Sequence, residues 1–235
     1  MVSRTDRQSK ARRRRKKGKS RKRTKKPRLV TLASSSLSRD EICAITTEAC
    51  AVRNRLVEDA QKLLSAGSPC SSCKDPNCCY EVTHAHLFEA VELVLHVSRD
   101  RQLSKLDELQ EQGREQLRLI EASNVLVGSN KWFTLHRPCP LLQDGRCGYY
   151  QQSPFRCRVM YVYGICTMEG EVDLPHSPVH EEIFVQLANE WAYKVFGRVI
   201  KLPPQPLGTV IPLACTFLQT GKLQVGKQYE VKYES

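Results

Sequence analysis

Eight of the chain's eleven cysteines fall into two groups of four, and no other feature narrows the folding options as much. The first group is Cys70-x2-Cys73-x4-Cys78-Cys79, and the second is Cys139-x7-Cys147-x9-Cys157-x8-Cys166. A C-x2-C knuckle points both sulfurs at one ion, and a tetrahedral zinc site needs four such ligands at about 2.3 Å. Adjacent side chains diverge in extended backbone, so Cys78 and Cys79 suit two metals, or one metal and a separate role, better than one mononuclear site. Eight thiols therefore make two four-sulfur sites or one multinuclear site. Soft thiolates accept zinc, copper(I) or an iron–sulfur cluster, and spacing does not choose among them. An odd cysteine count cannot pair completely within one chain, and a reducing compartment keeps thiols free for ligation. Four thiolates on a divalent ion leave a negative charge, which Arg146, Arg156 and Arg158 flank closely enough to offset.

Charge is as unevenly spread as cysteine. The net charge is +12, yet residues 1–28 hold 16 of the 37 Lys and Arg with Asp6 as the one acid, and the remainder is net −3. From Arg12 to Lys26 nearly every residue is basic, broken by Gly18, Ser20 and Thr24. Like charges at this density repel and offer no apolar face, so a disordered arm is expected. Pro27 and Ser34-Ser35-Ser36 extend it as a linker, giving an arm over 1–37 and a domain over 38–235 with its core motif at 70–166. Residues 1–28 suit nonspecific, salt-dependent contact with nucleic acid or another polyanion. The arm has no aromatic residue for base stacking, so sequence-specific recognition is not expected from it. No run reaches the roughly 18 apolar residues of a membrane span, and no apolar h-region follows the basic start. The expected location is cytoplasmic, or nuclear in a eukaryote.

Periodicity outlines four helices. The first runs from about Arg39 to Ala66, with Ser38 and Glu41 as a capping box, apolar Ile42, Ile45, Ala49, Val52, Leu56 and Leu63, and Gly67 as its stop. Cys43 and Cys50 share a stripe with Val57 and Leu64 and read as small core residues. A second helix covers residues 84–98 with Thr83 as cap, and a third, more polar one covers 102–122. A fourth starts at Pro178 behind Ser177 and ends at Gly197. Between Trp132 and Cys166 the composition favours turns and short extended pieces. After Pro203-Pro204-Gln205-Pro206, alternation at Leu223, Val225, Tyr229, Val231 and Tyr233 suggests a terminal hairpin or edge strands.

The order of the C-x2-C and CC group, a helix-forming interval, Cys139-Pro140-Leu141-Leu142, Asp144-Gly145-Arg146-Cys147, Tyr149-Tyr150 and Pro154-Phe155-Arg156-Cys157-Arg158 resembles the zinc- or iron-chelating CxxCxxCC (YkgJ-like) cysteine-cluster family. The resemblance covers Cys70 to Cys166 and implies a metal held by Cys70, Cys73, Cys78, Cys79, Cys139, Cys147, Cys157 and Cys166. It also brings in the flagellin lysine N-methylases, which carry a similar cluster. This chain departs from the family pattern in three ways. Four residues separate Cys73 from Cys78, Ser153 stands where the family has Arg before Pro154, and the family's acidic residue early in the helix after the double cysteine is not evident near His84–His86.

Histidines are weaker candidates. His84 and His86 follow Cys79 closely but read as capping or exposed, His136 could replace a thiolate, and His176 and His180 are split by Pro178 without an HExxH arrangement. No GxGxxG or Walker loop appears, which opposes a self-contained methyltransferase and leaves catalysis on a cluster open. The expectation is a small, helix-rich α+β domain organised around a cysteine-ligated metal centre. Its leading function is binding of zinc or iron, including iron–sulfur. The alternative is a cluster-dependent protein-modifying enzyme.

Overall fold

Ser38 and Glu41 close the expected capping box. The Ser38 N–H donates to Glu41 Oε2 at 2.7 Å, and the Glu41 N–H donates back to Ser38 Oγ at 3.3 Å. The helix that follows, α1, spans Arg39–Lys62. The computed structural model describes residues 30–34, 36–62, 77–80, 82–99, 103–123, 138–159 and 178–225. The basic arm through residue 29, Gly67, Leu63, Leu64, Ser177 and residues 226–235 lie outside them.

Among the described residues, five further α-helices follow: α2 (Leu87–Arg99), α3 (Leu103–Ser123), α4 (Phe155–Val159), α5 (Pro178–Phe196) and α6 (Leu207–Thr220). Six short strands pair as three antiparallel ladders. They are β1 (Val30–Ala33) with β6 (Lys222–Val225), β2 (His84–Ala85) with β5 (Gln205–Pro206), and β3 (Leu142–Gln143) with β4 (Arg146–Cys147). The helix-rich α+β expectation holds at this level. No described helix is long and apolar enough to cross a membrane.

Helix α2 is the centre of the packing. Leu87, Phe88, Ala90, Val91, Leu93, Val94, Leu95 and Val97 are all buried, so its apolar residues are enclosed on most of its circumference. It meets that demand by contacting α1, α3, α5 and α6. On α1, Ile42, Ala49, Cys50, Val57 and Ala60 face inward. Cys50 is therefore the core residue that its stripe predicts, and Cys43 is half-buried against the same core. Trp191 on α5 is buried, and its indole N–H donates to Thr46 Oγ1 on α1 at 3.0 Å. Gly197 ends α5 as expected, with φ 65° and its N–H donating to Tyr193 O at 2.8 Å.

Three expectations change. The first concerns the domain boundary. Val30–Ala33 falls inside the segment expected as arm and linker, yet it forms β1, pairs with β6 in register Leu32↔Leu223, and buries Leu32. The second concerns the end of the chain, where β6, one of the expected edge strands, takes its partner from this N-terminal strand, while Tyr229, Val231 and Tyr233 lie outside the described residues. The third is α6, which the periodicity did not announce. Pro206 precedes it, Pro212 lies within it, and Val210 and Ile211 favour strands, but Leu207, Val210, Ile211, Ala214, Phe217 and Leu218 are all buried. Burial outweighs those local preferences. Helices α6 and α3 cross where Gly113 meets Gly208, and a Cβ on Gly113 would sit 2.6 Å from the Gly208 Cα.

Candidate metal centre

Cys79 sits in a 3-10 turn over Asn77–Tyr80, and its carbonyl accepts the N–H of Cys139 at 2.5 Å. That bond joins the two cysteine groups of the sequence. Cys139 is buried, with Pro140 opening a tight turn in which the Leu142 N–H donates to Cys139 O at 2.9 Å. The same turn aims the Leu141 N–H at Cys139 Sγ, 3.5 Å away. A backbone N–H pointed at sulfur is the arrangement that stabilises a thiolate.

The chain then reverses through Asp144 and Gly145, whose φ values of 48° and 74° match a two-residue type I′ hairpin turn. This places Cys147 on β4 opposite Leu142. Gly148 follows, and a Cβ there would meet the end of the Gln143 side chain at 2.5 Å, which would have to swing aside. Beyond it, Ser153 donates its hydroxyl to Tyr150 O at 2.7 Å, and Pro154 leads into the short helix α4, which carries Cys157.

Thr83 links the two ends of this loop. Its hydroxyl donates toward Cys139 Sγ at 3.7 Å, and Cys157 Sγ approaches the same hydroxyl at 3.9 Å. The sequence reading made Thr83 a helix cap. It is instead a buried hydroxyl between two candidate ligands, because α2 begins three residues later than expected and His84–Ala85 is drawn into β2. Cys139 and Cys157 thus meet at the Thr83 hydroxyl, and the backbone of Cys79 is bonded to that of Cys139.

Glu89 is the residue that sequence reasoning passed over. It is 2% exposed, and its two carboxylate oxygens accept the N–H of His86 at 2.9 Å and of Phe155 at 2.7 Å. It caps the starts of α2 and α4 together, and so sets where Cys157 is presented. The available signal was the three-residue interval from His86 to Glu89, the spacing of a capping box. An acidic side chain therefore does stand early in the helix after the double cysteine, three residues beyond His86. Burial pushes the Glu89 carboxyl up to about 7, against the opposing pull of Arg53 and the two N–H donors.

A second buried set holds this loop to α1. Arg53 is fully buried and forms an ion pair with Glu92 at 2.7 Å. Its Nη2 donates to Asn54 Oδ1 at 3.0 Å and to Gln151 O at 3.3 Å, and Arg158 Nη1 donates to the same two acceptors at 2.6 and 3.3 Å. Of the arginines expected to balance thiolate charge, Arg158 is committed to α1, Arg156 pairs with Glu181, and Arg146 is exposed on β4. Thr83 and the Leu141 N–H are the donors seen at sulfur.

The histidines are positioned by packing. His86 is buried rather than exposed, stands edge-on to Phe184, and bonds Leu202 O through Nδ1 at 3.2 Å. His84 Nδ1 bonds Val82 O at 2.9 Å. His136 and His176 lie outside the described residues, as do Cys70, Cys73, Cys166 and the side chain of Cys78.

No disulfide joins the cysteines with described side chains, Cys43, Cys50, Cys79, Cys139, Cys147, Cys157 and Cys215, to one another. Among the described residues, no group of three or more His, Cys, Asp or Glu side chains is arranged to hold an ion. The donors present, reduced sulfurs with N–H and O–H groups directed at them, fit a soft metal by chemistry. No protein-family model, no curated protein and no solved structure matches the chain.

Proposed function

We propose that this chain is a cysteine-cluster metal-binding protein that holds zinc, or iron as a mono- or multinuclear centre, through Cys70, Cys73, Cys78, Cys79, Cys139, Cys147, Cys157 and Cys166. The observation that supports the reading is the approach of Cys139 Sγ and Cys157 Sγ to the Thr83 hydroxyl, with the Cys79 carbonyl bonded to the Cys139 N–H, from segments far apart in sequence. Two groups of four cysteines in the sequence are the second support. The resemblance to the CxxCxxCC family rests on the motifs alone.

Once bound, the ion supplies a fixed point for the loops between Cys70 and Cys166. The chain's own residues do the rest. Glu89 fixes the start of α4, the Leu141 N–H and the Thr83 hydroxyl offer donors to sulfur, and Arg53 with Arg158 ties the loop to α1. The basic arm adds charge-driven contact with nucleic acid or another polyanion.

The test is elemental analysis with an ultraviolet–visible spectrum on anaerobically purified protein. About one or two zinc per chain without visible absorbance supports a structural module. Iron with absorbance that bleaches on reduction supports the second reading, a cluster-dependent protein-modifying enzyme. That reading is favoured by an open cleft of which Cys139 forms one wall. Metal-free protein with an unchanged fold overturns both.

A further inference from the structure

Thr83 is buried one residue before β2, and among the described residues its hydroxyl has two partners, both of them sulfur: Cys139 Sγ at 3.7 Å and Cys157 Sγ at 3.9 Å. Its backbone is pinned from another side. The Thr83 carbonyl accepts the N–H of Leu207, the first residue of α6, at 2.9 Å, and its neighbour His84 pairs with Pro206 of β5. The hydroxyl is therefore held in place from the α6 side, while the sulfurs reach it from the turn at Cys139 and from α4.

Neutral thiols serve a buried hydroxyl poorly, because S–H is a weak donor and its sulfur a weak acceptor. Valine has the same shape, suits extended backbone equally well, and would bring no polar atom to be buried. The hydroxyl becomes the better choice once one of the sulfurs is charged, since a hydrogen bond to an ion is about twice as strong as one between neutral groups. A ligating cysteine is such a sulfur, because thiols lose their protons on binding metal. Cys139 is itself buried, and the Leu141 N–H is directed at the same sulfur at 3.5 Å, so two donors from different parts of the chain are aimed at one atom.

We infer that Thr83 is a positioning residue of the metal centre: its hydroxyl hydrogen-bonds a ligating sulfur, Cys139 Sγ as the nearer, draws electron density from that thiolate, and ties the centre to the start of α6. This rests on the metal reading above and adds to it a residue that touches no metal. The hydroxyl carries one proton and serves one sulfur at a time. The thiol proton through which Cys157 approaches it leaves to solvent when that cysteine ligates.

The probe is cobalt(II), added to reduced, metal-free, full-length protein, because cobalt–thiolate bonds give a charge-transfer band in the near ultraviolet. Thr83→Val removes the hydroxyl and keeps the shape, whereas Thr83→Ser keeps the hydroxyl and removes the methyl group. A sulfur that loses a donor is richer in electrons, so the band of Thr83→Val should move to longer wavelength. Its cobalt(II) affinity at about pH 7 should fall about tenfold, because the thiol holds its proton more firmly. Thr83→Ser should stay near wild type, and Thr83→Ala should repeat the band shift of Thr83→Val without the second γ-methyl. A merely structural role would instead lower the metal-free melting temperature and leave the band in place. A band that Thr83→Val does not move, or that Thr83→Ser moves as far, overturns the inference while the metal reading stands. Wild-type protein that develops no sulfur-to-cobalt band overturns the metal reading and this inference together.

Discussion

Glu89 and Phe155 are joined by a 2.7 Å hydrogen bond from the Phe155 backbone N–H to Glu89 Oε1, across 66 positions of sequence. The other oxygen of the same carboxylate serves His86. Helix starts leave N–H groups without partners, and here one buried side chain satisfies two such starts. The Phe155 ring adds a stack on Phe184, with centroids 4.4 Å apart, so α4 is held at its backbone and at its first side chain.

Glu89→Ala leaves two buried N–H groups unpaired. Its expected effect is a loss of about 2–4 kcal/mol of stability, measured by urea unfolding, together with lower metal content per chain. A wild-type unfolding midpoint in this variant would refute the double-capping role.

Stability should also depend on pH through Glu89 and His86. Burial raises Glu89 from 4.5 to about 7, so its contribution is full below about pH 4.5 and is lost as pH rises through about 7. Burial lowers His86 from 6.5 to about 4, so its contribution is present above about pH 6.5 and is lost as pH falls through about 4. Glu89→Gln removes the first dependence alone. Relative to wild type, that variant should gain stability between about pH 5 and about pH 8, read from urea midpoints at the two values. A constant difference would mean that Glu89 does not titrate in this window.

Cys73→Ser and Cys157→Ser should each lower bound metal and melting temperature, and a chelator should do the same to wild type. The upper limit is the stabilisation a structural ion gives, on the order of 10 kcal/mol. Cys215→Ala is the control, since Cys215 is a buried core thiol on α6 and should leave metal content unchanged. Full metal retention in either serine variant removes that residue from the ligand set.

Thiol labelling separates core cysteines from candidate ligands. Burial pushes Cys215 up to about 11 and Cys50 higher still, which keeps both as unreactive thiols. Iodoacetamide at about pH 8 should leave both unmodified in native protein and modify both after unfolding. Native labelling of Cys50 at the unfolded rate would show that its burial on α1 is not maintained.

Gly208→Ala places a methyl group against the Gly113 carbonyl, and Gly113→Ala drives one toward Gly208 Cα. Each should cost about 1–3 kcal/mol by denaturant unfolding, because backbone rather than a movable side chain must shift. The two losses should be less than additive, since either one opens the same crossing.

What the sequence determined by itself is local. The Ser38–Glu41 box, the inward stripe of α1 with Cys50 and Val57, and the stop of α5 at Gly197 all depend on residues within a few positions, and they are legible in the sequence. The grouping of the cysteines and the position of the basic arm were equally plain in the sequence. Tertiary structure decided the rest. Helix α6 forms against its own proline and β-branched residues because α2 and α3 give its apolar face a place to bury. Thr83 leaves the helix-cap role and stands between Cys139 and Cys157, because pairing of β2 with β5 delays the start of α2. Glu89 reaches Phe155, and Val30 reaches Val225, through contacts with no spacing rule, since the chain must already be folded before either pair is near. Neighbouring residues set backbone preference at short range, while burial and the need to satisfy every enclosed polar group act only once distant segments have met.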